Sequence, residues 1–125
     1  MDPNIKLAFE LNESTGVSTL TSPDDPNLVA ELVFTAPVAQ RKVSKLLLNR
    51  VGNLLYGEEP SLVVGERVVW RVPVWISRPD TGPLGPVGTL DVDVQTGAIA
   101  HTPEILEELK ERARGLVERT AYPAG

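Results

Sequence analysis

The chain has no cysteine and a single histidine. Disulfides, thiolate-bound metals and cysteine nucleophiles are thereby excluded. At 125 residues a single domain is expected, large enough to bury a core without such staples. No aliphatic run exceeds three residues, as in Leu46-Leu47-Leu48, so no segment reads as a membrane span. The opening Met-Asp-Pro-Asn is acidic and lacks the apolar stretch of an export signal, which makes a cytoplasmic protein the expectation. Gly-Lys-Ser/Thr phosphate loops and nucleophile elbows are also missing.

What is present is an acidic chain of net charge −5 whose charge is unevenly spread. Residues 1–36 carry six acids and one lysine, whereas residues 37–57 carry Arg41, Lys42, Lys45 and Arg50 and no acid. One basic element sits in an acidic protein.

Leu7, Phe9 and Leu11 alternate with Lys6, Ala8 and Glu10, the period of a half-buried strand. Val17–Thr21 reads as a short strand at an edge, residues 22–27 as a proline-broken loop, and residues 28–35 as a third strand with Phe34 on its apolar side. A meander over 5–35 is expected. Thr35-Ala-Pro37 then opens a helix over 37–56, its stripe made by Val43, Leu46, Leu47, Val51, Leu54 and Leu55 and its end set by Gly57.

Residues 67–77 are apolar on both faces: Val68, Trp70, Val72, Val74 and Ile76 on one, Val69, Arg71, Pro73 and Trp75 on the other. Pro73 lacks a donor, so an edge or a bulge is expected there. Residues 78–86 read as a turn. Leu90, Val92 and Val94 then face the core, with Asp91 and Asp93 opposite, and Gln95-Thr96-Gly97 makes a tight turn closing the hairpin 67–100. Thr102-Pro103 opens a last helix over 103–119, with a frayed end at residues 122–125. Strands, helix, strands, helix: the expected class is α+β, an antiparallel sheet of about five to six strands with two helices.

The stretch Val92-Asp93-Val94-Gln95-Thr96-Gly97-Ala98-Ile99, preceded by a helix and a hairpin, resembles the V-D-x-x-T-G-x-(I/V) signature of PepSY-like domains over residues about 38–100. The resemblance implies a PepSY-like core and a binding or inhibitory module without catalytic residues. Aspartate and threonine oxygens would hold the turn amides, and glycine would supply positive φ.

His101 reads as a boundary residue, Asp91 and Asp93 as a solvated sheet face, and the glycines at 82, 85 and 88 as a structured turn. No catalytic, cofactor or metal residue is assigned. The candidates for partner binding are Arg41, Lys42 and Lys45 on the basic helix, and Val69 and Trp75 on the second face of the apolar strand. The expectation is a non-catalytic binding or regulatory module engaging a protein partner, and a homodimer with Trp75 near its interface. The alternative is an antitoxin-like, nucleic-acid-associated regulator using helix 37–56.

Overall fold

The computed structural model describes residues 6–15, 17–52 and 54–121. Among them, eight strands and two helices form an α+β arrangement with two antiparallel sheets. β1 (Ala8–Asn12), β2 (Val17–Ser22) and β3 (Asp25–Leu32) make a three-stranded meander, with β2 at its centre rather than at an edge. Residue 5, where the meander was expected to begin, lies outside the described residues, as do Gly16 and 122–125. α1 (Ala36–Arg50) follows. The five-stranded sheet comprises β4 (Leu55–Gly57), β5 (Ser61–Val64), β6 (Val68–Arg78), β7 (Gly82–Asp93) and β8 (Ile99–Ala100), and α2 (Pro103–Ala121) comes last.

The strands outnumber the expected five or six, and local chemistry explains why. Residues 22–27 are no loop: a two-residue turn, Pro23-Asp24, joins β2 to β3 with Ser22 opposite Asp25, and a register shift beside Ser22 absorbs the irregularity. β3 ends at Leu32. The Val33 and Phe34 amides both donate to the Val94 carbonyl (2.9 and 3.0 Å), drawing the chain out of the meander and onto the larger sheet. Residues 78–86 also differ from the expected turn. Arg78 pairs with Gly82, whose φ of 81° closes a three-residue loop, and two register shifts carry the ladder past Pro83 and Pro86.

α1 is shorter than its periodicity implies. The Val51 and Gly52 amides both donate to the Leu47 carbonyl, and Leu55–Gly57 becomes β4 against β6. Gly57 is therefore not a helix cap. A Cβ there would stand 2.8 Å from Val72 Cγ1 and 3.2 Å from the Gln40 carbonyl oxygen, so glycine lets β4 lie close under α1. Ser44 and Gln40 of α1 complete the attachment: the Ser44 hydroxyl accepts from the Gly57 amide (2.9 Å) and the Gln40 side chain donates to the Gly57 carbonyl (3.0 Å). At the helix starts, Thr102 caps α2 by accepting from the Ile105 amide at 3.1 Å, while the Thr35 side chain makes no cap bond.

Two cores result. The larger joins Ala39, Val43 and Leu47 of α1 and Leu109 and Ala113 of α2 to Val72, Val74, Ile76, Leu90 and Val92. The smaller packs Leu20, Ala30 and Leu32 of the meander on Val64, Val68 and Val94. Trp70 touches both, and its indole donates to the Phe34 carbonyl. All of these sheet residues lie on one face. The meander, α1 and α2 are thus laid side by side on the same side of the five-stranded sheet.

Candidate functional site

Residue pairs opposite each other in an antiparallel sheet share a face. Val69 stands between Val63 and Asp93, Arg71 between Ser61 and Asp91, and Trp75 between Tyr56 and Pro86, with Pro73 beside Thr89. These residues form the second face of the sheet. Among the described residues no helix or strand covers it. α2, which could have done so, instead seats Leu109 over Gly88 and Leu116 beside Gly85, both on the core side. Glycine at those positions leaves room for the helix.

This face joins the two apolar residues singled out from the sequence, Val69 and Trp75. It adds Tyr56, which the expected helix had placed elsewhere. The signal that finds Tyr56 is Gly52, an earlier stop for the helix, which frees Leu55 and Tyr56 for a strand. Burial, and after it the nearby Glu58 carboxylate, pushes the Tyr56 phenol above its ordinary pKa. Ser61, Thr89 and Asp93 also lie on this face, and one ion pair crosses it. Arg71 grips Asp91 through two bonds, Nε to Oδ1 at 2.9 Å and Nη2 to Oδ2 at 3.1 Å. That hydrogen bonding, followed by the charge of Asp91, raises the Arg71 pKa.

Pro73 occupies a position where its missing donor costs nothing. β4 pairs with residues 74–76 and β5 with 68–71, so Pro73 faces the gap between them. There its carbonyl accepts from the Glu58 amide at 2.8 Å. β6 is an interior strand, so the expected edge is not found; a register shift follows between Val74 and Trp75.

Asp93 belongs to the turn rather than to an acid pair. Its Oδ1 accepts from the Gln95 amide (2.8 Å) and the Thr96 amide (3.0 Å), the Thr96 hydroxyl accepts from Ala98 (3.1 Å), and Gly97 has φ 75°. The backbone bond from Thr96 is the main reason the Asp93 pKa is lowered. Gly97 has a second task, because a Cβ there would meet the Phe34 ring at 2.5 Å. The turn thus doubles as the seat for the segment leaving β3.

The basic helix and the histidine lie apart from this face. Arg41 and Lys45 are exposed on α1, whereas Lys42 is half-buried with its ammonium 5.3 Å from the centre of the Phe34 ring. His101 is exposed beside a cleft of about 290 Å³ lined by Arg50, Val51, Pro103, Leu106, Glu107 and Lys110, which supply no hydroxyl nucleophile. Among the described residues no group of three or more histidines and carboxylates is placed to hold a metal ion, and no helix is long and apolar enough to cross a membrane.

Comparison of the chain with protein-family models, curated proteins and solved structures returns no match.

Proposed function

We propose that this chain is a non-catalytic binding module with a PepSY-like core, whose protein partner docks on the open face of the five-stranded sheet. The carrying observation is the one-sided layering: meander, α1 and α2 occupy one face, and Tyr56, Val69, Pro73 and Trp75 stand on the other, each half-buried among its sheet neighbours, with no helix or strand among the described residues packed over them. β6 and β7, with the shorter β4, β5 and β8 beside them, give about 500 Å² on this side at ~4.8 Å between strands and ~3.3 Å per residue, the scale of a small interface. Tryptophan, tyrosine and a bidentate arginine are the residue types that anchor such contacts.

The polar groups support a binding role. Asp91 is held by Arg71 and Asp93 by its own turn, which leaves neither carboxylate placed for acid–base work on the other's behalf. With Lys42 drawn over Phe34, the basic helix offers a thinner cationic stripe than its sequence suggests, which favours a protein partner over a nucleic acid. The test is recovery of tagged protein from its source cells. Wild type and an Arg41→Gln/Lys45→Gln variant should retain the same bound protein, and Trp75→Glu should lose it. Retention by Trp75→Glu and loss by the helix variant would reverse the assignment.

A further inference from the structure

The strand at the amino-terminal end carries a contradiction between pattern and packing. Leu7, Phe9 and Leu11 alternate with polar or small residues as a half-buried strand does, yet every residue of β1 is exposed. Phe9 is 56% and Leu11 63% exposed. Register shows which side is bare. Phe9 lies opposite Leu20 and Leu11 opposite Ser18, whose own partners on β3 are Ala30 and Leu32. Leu20, Ala30 and Leu32 are buried in the smaller core. The apolar face of the meander therefore runs on past the body of the protein by one strand, and β1 is that overhang.

β1 is also an edge. The Lys6 amide donates to Asp24 at the β2–β3 turn (3.1 Å), which directs the backbone groups of the even-numbered residues towards β2 and those of Leu7, Phe9 and Leu11 outward. β1 contains neither the proline nor the bulge with which edges are commonly blunted.

We infer that β1 pairs antiparallel with β1 of a second copy of this chain about a two-fold axis at Ala8, joining the two meanders into one six-stranded sheet. Charge selects this occupant and this register. With Ala8 on the axis, Leu7 exchanges backbone bonds with Phe9 of the second copy. Lys6 then falls opposite Glu10 of the second copy at the non-hydrogen-bonded position, where side chains come closest. Both such pairs are of opposite sign. A two-fold axis normal to the sheet keeps the same face of both meanders on the same side, so the leucines and phenylalanines of the two strands meet in the valley between the two bodies. This contact is separate from the Trp75 face, which stays open for the partner proposed above.

Light scattering at about 100 µM, with circular dichroism to confirm folding, tests it. The wild type should weigh twice 13.5 kDa. Phe9→Glu should give folded monomers, since Phe9 is not needed by the fold of one chain, and Trp75→Glu should leave the dimer intact. Lys6→Glu should weaken the dimer at least tenfold, and Lys6→Glu/Glu10→Lys should restore it, because the exchange preserves the opposite-sign pairs. A wild-type monomer, a dimer insensitive to Phe9→Glu, or a dimer split by Trp75→Glu alone overturns the inference. So does a monomer whose β1 captures a different protein. Apart from a dimer split by Trp75→Glu, none of these results bears on whether a protein partner uses the Trp75 face.

Discussion

The Trp70 indole nitrogen donates to the Phe34 carbonyl across 2.7 Å. Trp70 sits on the core face of β6 and packs in both apolar clusters, while Phe34 lies in the segment that leaves the meander for α1. One hydrogen bond thus fastens the smaller sheet to the larger at the point where their cores meet. Trp70→Phe keeps most of the packing but leaves the half-buried carbonyl without its partner. A loss of about 1–2 kcal/mol is expected in urea unfolding, with Trp70→Leu costing more.

Gly97 is constrained twice, by φ of 75° and by the Phe34 ring. Gly97→Ala should destabilise by more than the ~1–2 kcal/mol that a left-handed backbone costs a residue with a Cβ. In a Phe34→Leu background the steric part should shrink and the backbone part remain. A double-mutant cycle by thermal unfolding separates the two; additive effects would mean that the ring and the turn are not in contact.

The Asp93 carboxylate, held below its ordinary pKa chiefly by the Thr96 amide, links stability to acid. Its contribution is fully present above the unfolded aspartate value of about 3.9 and is lost as pH falls through the lower folded value. Asp93→Ala should lower stability by about 1–2 kcal/mol at neutral pH and by less once acid has protonated the wild-type carboxylate, while Asp93→Asn, which keeps an acceptor oxygen, should lose less. Unfolding midpoints between pH 2 and 7 test this. A wild-type and alanine pair with parallel profiles would contradict it.

The helix starts give a paired comparison. Thr102→Ala removes an observed cap and should cost about 1 kcal/mol, whereas Thr35→Ala, where no side-chain cap exists, should cost a few tenths. Equal losses would mean that Thr35 caps in solution.

Local pattern carried much of this fold. The Val43, Leu46 and Leu47 part of the α1 stripe, the apolar core side of β6 and the turn built on Asp93, Thr96 and Gly97 could be read in advance, because neighbours a few residues apart decide them. Leu54 and Leu55, read into the same stripe, lie beyond the helix. Three features depended on distant partners. The sequence pattern put the end of α1 at Gly57, but the helix stops at Arg50, because Gly57 is taken into β4 close against Val72. The side on which α2 docks is set by Gly85 and Gly88, residues that read as turn glycines until Leu116 and Leu109 are seen against them. Prolines at 23, 26, 83 and 86 suggested loops, but register shifts admitted these segments to ladders. Of the site, Val69 and Trp75 were visible as an apolar second face. Tyr56 was hidden by the misplaced helix end.

The most direct measurement of the central proposal is site-specific photocrosslinking in the source cells. A photoreactive residue replaces Trp75 on the open sheet face or, as a control, Leu48, which is 59% exposed on α1. Expected is an adduct of one discrete protein mass from position 75, competed by untagged wild type, and none from position 48. Adducts from position 48 alone, or adducts to nucleic acid, would contradict the proposal.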